Sequence, residues 1–471
     1  MRERDPWARA KIDLDALHEI VANVFRIPTS QCGLPVAIGL QQQANYARVY
    51  SFQLPSRIVV ARVVAPVRPL FKTESEVTAM DFVRDHTSLP VPKVYAYCSE
   101  AMNPVGAEWI IMDFMPGVGM GTAWPKLQLP QKRRLALDII DLHDQLFRLK
   151  ADACGGLYHI VDSVDDHRAG NMKSVNSRPP RWAPLSIESL HTLNNLCNYS
   201  IHNAYKIGPI HSFSLLDFNQ EVPSPSQTLP VMTSGDYVKL IAFCGNPPTR
   251  GYYDLPSREK CVELFENIFG LYTNSSALGP NADPLNFRFS HGDLHDENIL
   301  IDPQSGAITG IIDWEAAGFR PSWSVPFGVG WFDEDGERFL FGADDPANFE
   351  EDSPEDADLR AFFRTQMYRR NPDLFSCFFG GIELRAVLHA AADYPRPAGN
   401  TDIFLGQYHK LGYWNEDRRG AFPWNMEAWM IRRLDLNDEQ ARLHPIEDGS
   451  EGSVSSCGGK PESDQSQIPR P

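Results

Sequence analysis

Phe289-Ser-His-Gly-Asp-Leu-His-Asp-Glu-Asn-Ile-Leu-Ile-Asp302, followed by Ile308-Thr-Gly-Ile-Ile-Asp-Trp-Glu315, is the stretch of this 471-residue chain on which its fold turns. Two β-type runs, Ile299 to Ile301 and Ile308 to Ile312, flank the turn Asp302-Pro-Gln-Ser-Gly306 and so predict a β-hairpin. Asn298 stands just before the first strand and Asp313 just after the second, which brings both side chains to the same end of the ribbon. Asp293 lies on the loop that feeds the hairpin. A hard cation such as Mg²⁺ takes a few protein oxygens and keeps the rest of its shell for phosphates and water. Asn298 and Asp313 supply such a pair, leaving Asp293 to orient a hydroxyl. Any one of these residues alone would more commonly cap a turn. Their combination with the hairpin points to chemistry.

Working outward, Leu14, Leu17, Val21 and Val24 recur at helical spacing and predict a helix near 12–26. From Val36 to Phe114 the pattern becomes strand-like: Tyr46 to Leu54, Arg57 to Val64, Val91 to Tyr97 and Trp109 to Met112. Within that run, Thr73 to Arg84 predicts one helix with Thr73 as its N-cap. Met115-Pro-Gly-Val-Gly-Met-Gly121 follows as a linker. Beyond it Leu135, Ile139, His143 and Leu146 share a face of a helix from about Gln131 to Lys150. Residues 165–185 and 220–235 are polar, Pro-rich loops, and the segment from Ile446 has too little to bury to fold. The expected organisation is an N-terminal extension over 1–35, a small β-rich lobe over 36–117, a larger helical lobe over 118–445 and a disordered tail over 446–471.

The quoted stretch resembles the kinase-superfamily pattern H-x-D-x-x-x-x-N with a later metal-binding Asp. HGDLHDEN followed by IIDWE looks like the aminoglycoside phosphotransferase and choline kinase family more than protein kinases. The resemblance implies an α+β, two-lobe protein-kinase-like fold and an enzyme that uses ATP and Mg²⁺ to phosphorylate an alcohol of a small molecule. It implies that Asp293 is the catalytic aspartate, that Asn298 and Asp313 hold Mg²⁺, and that His291 holds the loop's shape. Val59-Val-Ala-Arg-Val63 is similar to the strand that offers a cation to the ATP phosphates, which places Arg62 there. An Arg keeps its charge and grips phosphate bidentately. Glu76, on the following helix, has two open partners: Arg62, or the helix start through a Thr73-Glu-Ser-Glu76 capping box. Asp113, Phe114 and Met115 correspond to the hinge that meets adenine. Ala44 and Asn45 stand where relatives carry phosphate-covering glycines, leaving fewer free backbone positions to wrap phosphate.

Other classes fit less well. Gly117-Val-Gly-Met-Gly121 lacks the third glycine of a dinucleotide loop, and no Walker-type G-x-x-x-x-G-K-[ST] occurs. A metal-dependent hydrolase ligated by His291, Asp293 and His295 leaves Asn298 and Asp313 without a role. A kinase-like module without turnover is the alternative that the glycine-poor 39–49 loop favours. A formal net charge of −17 argues against nucleic-acid and anionic-membrane partners. The acidic run from Asp333 to Asp358 predicts a solvated face or a rim that gathers cations. Eight scattered Cys with no CxxC pair, and no signal-like N-terminal segment, lead to an expectation of a reduced, cytoplasmic protein. The sequons at Asn198 and Asn274 are then chance matches. The acceptor itself is not legible.

Overall fold

The computed structural model describes Trp7, residues 11–39, 46–66, 69–160, 178–197, 199–202, 204–211, 287–324 and 354–380, isolated positions between 233 and 267, and residues 385 and 388. The tail expected from Ile446, the 220–235 loop apart from residue 233, and residues 165–177 of the other loop lie outside them. In chain order the helices are α1 (Leu14–Val24), α2 (Phe71–His86), α3 (Met120–Ala123), α4 (Leu129–Phe147), α5 (Ile187–Leu196), α6 (Pro354–Arg370) and α7 (Pro372–Gly380).

The amino-terminal strands are β1 (Val36–Ile38), β2 (Ala47–Gln53), β3 (Ile58–Val64), β4 (Val94–Cys98) and β5 (Glu108–Asp113). They form one antiparallel sheet in the order β1-β2-β3-β5-β4. β3 is central, and six of its seven residues are buried, which is why it reads as a near-continuous apolar run rather than an alternating one. Alternation still sorts its side chains. Val59, Ala61 and Val63 pack with Leu17, Ile20 and Val21 of α1 and with Trp109, while Val60 faces the α2 side with Val77 and Met80. Arg62 shares the face of Val60. A guanidinium is thereby delivered beneath α2 by period-two geometry alone.

α2 begins two residues earlier than the sequence predicts. Its N-cap is Leu70, at φ 71, instead of Thr73. The cause is tertiary: the Leu70 amide donates to Glu108 Oε1 at 2.7 Å, fixing a backbone conformation that a leucine rarely adopts alone. Glu74 then ties the helix to the sheet, accepting from Ser99 Oγ at 2.5 Å, Tyr97 OH at 3.2 Å and Arg181 Nε at 2.8 Å. Twelve of the sixteen helix residues are buried, so α2 runs through the protein's interior and not along its surface.

The remaining strands are β6 (Val118–Gly119), β7 (Lys150–Ala151), β8 (Gly156–His159), β9 (Tyr199–His202), β10 (Tyr205–Gly208), β11 (Phe287–Ser290), β12 (Ile299–Ile301), β13 (Ile308–Ile311) and β14 (Gly318–Pro321). The predicted hairpin is β12–β13, with Ile299 opposite Ile311 and Ile301 opposite Ile308. Asp302 Oδ1 accepts from the amides of Gln304 and Ser305, and Gly306 turns at φ 74. The stretch expected to be a linker does more than connect: β6 pairs with β12, Gly119 opposite Leu300 and Val118 opposite Ile301. β11 lies between β7 and β14 and leads into the loop before β12.

α4, α6 and α7 cover this core. The end of the acidic run belongs to α6, where Glu355 pairs with Lys132 and Asp358 with Arg133, each at 2.8 Å. Those acids dock a helix onto α4; residues 333–353 lie outside the described residues. No helix among the described residues is long and apolar enough to cross a membrane.

Gly117 sits at φ 118, and a β-carbon there would meet Thr309 Oγ1 at 2.5 Å and the Ile301 carbonyl at 2.7 Å. Gly117→Ala should therefore loosen β6 from the hairpin and cost about 2–3 kcal/mol. Chemical denaturation checks this, and a loss below about 0.5 kcal/mol would contradict the docking of β6.

Candidate active site

The loop from Ser290 to Asn298 is shaped from within. Gly292 has φ 82, and a β-carbon would run into the Ala316 carbonyl, so only glycine fits. His291 is buried; its Nε2 bonds the Ile312 carbonyl at 2.9 Å, and its Nδ1 accepts from the Asp293 amide at 3.4 Å. That pair of bonds requires the neutral Nε2–H tautomer. Burial is the main cause that pushes the imidazole down to about 3, so the ring stays neutral. Trp314, fully buried, packs on it at 4.4 Å between ring centroids and donates Nε1–H to the Ile311 carbonyl. With both nitrogens engaged, His291 has no lone pair for a metal. Among the described residues no three His, Cys, Asp or Glu side chains group as a metal cluster.

Asn298 is buried and donates Nδ2–H to the Asp293 carbonyl at 2.8 Å and, at 3.4 Å, to Asp293 Oδ2. Its amide oxygen is the end left for a cation. Asp313 follows β13 in a left-handed conformation, φ 66 and ψ 60, which Asp tolerates better than most residues. Its Oδ1 is buried and, among the described residues, accepts no well-aligned hydrogen bond and is balanced only by an ion pair with Arg62 Nη2, at 2.8 Å. Two hard oxygens, one of them an under-satisfied carboxylate, fit Mg²⁺. Asp293 lies beside them, its carboxyl pushed up to about 6, chiefly by burial, with Asp313 and Glu315 adding to the rise and His295 opposing it. His295 is half-exposed, with Nε2 at 3.8 Å from Asp293 Oδ2.

Arg62 reaches across from β3. Its Nε lies 3.1 Å from Glu76 Oε1, so of the two partners open to Glu76 it is Arg62 that it meets. The capping box does not form, because the helix starts before Thr73. Burial opposes the Arg62 charge, yet Asp313, Glu76 and Glu315 outweigh it and hold the proton more firmly than usual. Burial likewise pushes the Glu76 carboxyl up, against Arg62. At the hinge position, the Asp113 amide donates to the Lys93 carbonyl at 3.0 Å, and its side chain accepts from Tyr95 OH at 2.6 Å. Asp113 thus closes the β4–β5 end; Phe114 is exposed, and Met115 packs over Gly310. Ala44 and Asn45 lie outside the described residues.

Two members of this cluster escaped the sequence reading. Glu315 is buried and accepts from Arg62 Nη2 at 2.5 Å. Lys72 is 1% exposed and pairs with the same Glu315 oxygen at 2.6 Å. One signal was available: Lys72 lies one turn before Glu76, at i and i+4, near a helix N-terminus where the dipole disfavours cations.

Residues 243–323 match the family model of the phosphotransferase enzyme family. The family resemblance read from HGDLHDEN is borne out. The sheet, α2, the catalytic-type loop and the hairpin make the fold protein-kinase-like, with two lobes and α+β composition. The chain is 26% identical over 283 residues to a subtelomeric hrmA-associated cluster protein of Aspergillus fumigatus, covering 56% of this chain and 54% of that one. It is 22% identical over 280 residues to "Altered inheritance of mitochondria protein 9, mitochondrial" of Saccharomyces cerevisiae, covering 53% and 42%. The chain thus spans about half the length, or less, of these curated relatives. Among solved structures, it is similar to a thermostable aminoglycoside phosphotransferase mutant in ternary complex with AMP-PNP and hygromycin B: 14% identity, 86% and 99% coverage, TM-score 0.42.

The cytoplasmic expectation is corrected. Relatives from several yeasts are named mitochondrial proteins, which points away from the cytoplasm. Thiol usage speaks only against oxidising compartments and cannot choose among reducing ones.

The raised Asp293 carboxyl carries a stability consequence. The folded state favours its protonated form, so that contribution is complete below about 4, the ordinary carboxylate value, and is lost as pH rises through about 6. Asp293→Asn should stabilise the protein at pH 7.5 by on the order of 1–3 kcal/mol relative to its effect at pH 4. Denaturant titration at both pH values checks this; equal effects would show that Asp293 is not held against its charge.

Proposed function

We propose that this chain transfers the terminal phosphate of ATP to a hydroxyl of a small molecule. The observation that supports this most is the gathering of Asp293, Asn298 and Asp313 around one end of a β-ribbon, with Arg62 reaching in from the opposite lobe. Residues 36–117 would supply the nucleotide-binding side and residues 118–445 the catalytic loop and the acceptor side.

Asn298 Oδ1 and the Asp313 carboxylate would hold Mg²⁺, which, when bound, neutralises charge on the phosphates. Arg62, released from Asp313, would turn its fork toward phosphate oxygens while Glu76 keeps its orientation. The hinge segment Asp113 to Met115 would border the adenine. His291 fixes the loop so that Asp293 faces the acceptor hydroxyl. In the transfer, the acceptor oxygen forms a bond to the γ-phosphorus as the bond to the ADP oxygen breaks, and the hydroxyl proton passes to Asp293. A carboxyl that ionises near 6 is poised for that role at neutral pH. Positioning and charge neutralisation carry the reaction, and no covalent enzyme intermediate is needed.

A nucleotide-binding module without turnover is the second reading, favoured by the glycine-poor sequence from Gly39 to Val49. One experiment separates the two. ATP consumption, measured over a panel of hydroxylated metabolites, should fall by on the order of 10²–10⁴-fold in Asp293→Asn, with the KM for MgATP within about threefold of native. The native rate should decline on the acid side as Asp293 takes up a proton near about 6. An unimpaired Asp293→Asn rate would remove Asp293 from the reaction, and a native protein that binds MgATP without consuming it would favour the second reading.

A further inference from the structure

The ion cluster contains more cations than the proposed reaction uses. Arg62 Nη2 touches two carboxylates at once, Asp313 Oδ1 at 2.8 Å and Glu315 Oε2 at 2.5 Å. The same Glu315 oxygen lies 2.6 Å from Lys72 Nζ. Lys72 also donates to the Tyr46 carbonyl at 3.3 Å and lies 5.1 Å above the Tyr46 ring. Arg62, Lys72, Glu76 and Glu315 are all buried, so these charges answer chiefly to one another. Asp313 is the one member that is partly open, its side chain 30% exposed.

We propose that Lys72 is a positioning residue for the nucleotide, acting through Glu315: it neutralises Glu315 so that Arg62 can exchange Asp313 for phosphate. As the structure stands, Arg62 covers the carboxylate that a cation would need. When the cation takes Asp313, Arg62 loses one of its three anions and becomes available to the phosphates. That hand-over requires Glu315 to have another counter-ion. Without Lys72, Glu315 has Arg62 as its sole cation among the described residues, the guanidinium stays drawn to it, and phosphate must compete with a buried carboxylate. This device rests on the phosphotransferase reading and deepens it, placing a second cation one helical turn before Glu76 and giving Glu315 the function of a pivot.

The charge bookkeeping gives a signature that a merely structural lysine would lack. Lys72→Met makes the pocket one charge more negative and ties Arg62 down. ADP affinity, measured by calorimetry with and without Mg²⁺, should weaken about tenfold or more, while the affinity for Mn²⁺ alone, followed by electron paramagnetic resonance, should strengthen severalfold. Lys72→Arg keeps the charge and should bind both within about threefold of native. The double variant Lys72→Met with Glu315→Gln removes the pair together and should bring ADP affinity back to native or above. Should Lys72→Met fail to fold, the double variant carries the test alone, since it leaves no unpaired buried charge.

ADP and Mn²⁺ affinities that fall together, or stay unchanged, in Lys72→Met would overturn the proposal, as would a double variant as weak as the single one. Native protein that binds ADP together with an unaffected Lys72→Met would sink the role of Lys72 and leave the phosphotransferase reading standing. Native protein that binds no nucleotide under any condition would sink both.

Discussion

A buried guanidinium is tolerable inside a protein only if anions surround it, and Arg62 meets three of them from two lobes. Glu76 belongs to α2, while Asp313 and Glu315 follow the hairpin. Each of the three thus reaches the same guanidinium, and the sheet, the helix and the ribbon are held in register by a shared electrostatic need. The apolar core fixes each element separately. Val59, Ala61 and Val63 seat β3 against α1, and Ile299, Ile301 and Ile311 seat the hairpin within the other lobe. The ion cluster then fixes how the two meet.

The same constraint sets the character of the site. Carboxylates crowd one another at its mouth, and burial adds to the crowding, so Asp293 gives up its proton later than a surface aspartate. Neutral His291 contributes shape without charge, bridging the loop to the end of β13. A divalent cation that relieves the Asp313 side of this crowding would find its ligands already placed and one carboxylate oxygen lacking a hydrogen bond. Preorganisation of this kind suits a reaction whose protein contribution is positioning.

Local pattern carried a large part of the fold and the core of the site. The hairpin was legible because its strands are short apolar runs around an Asp-Pro-Gln-Ser-Gly turn, and Asn298 and Asp313 were placed by strand ends alone. β3 was legible because a central strand is apolar on both faces, which makes Arg62 conspicuous. What escaped was set by distant contacts. The start of α2 moved because Glu108, on β5, bonds the Leu70 amide. The linker became β6 because the edge of β12 was open to pairing. Lys72 and Glu315 are 243 residues apart in a chain where each alone looks like a surface residue, and only the assembled lobes bring them together. Cellular compartment left no trace in thiol count, since reduced cysteines fit more than one place.

The central claim is that one bound cation joins Asn298 to Asp313 in the cleft between the lobes. Anomalous scattering from crystals grown with ADP and Mn²⁺ tests it most directly. The account predicts a single manganese peak within coordination distance of Asn298 Oδ1 and an Asp313 carboxylate oxygen, with Arg62 turned from Asp313 toward phosphate. A peak elsewhere, or nucleotide held with Arg62 still on Asp313 and no metal at Asn298, would contradict it.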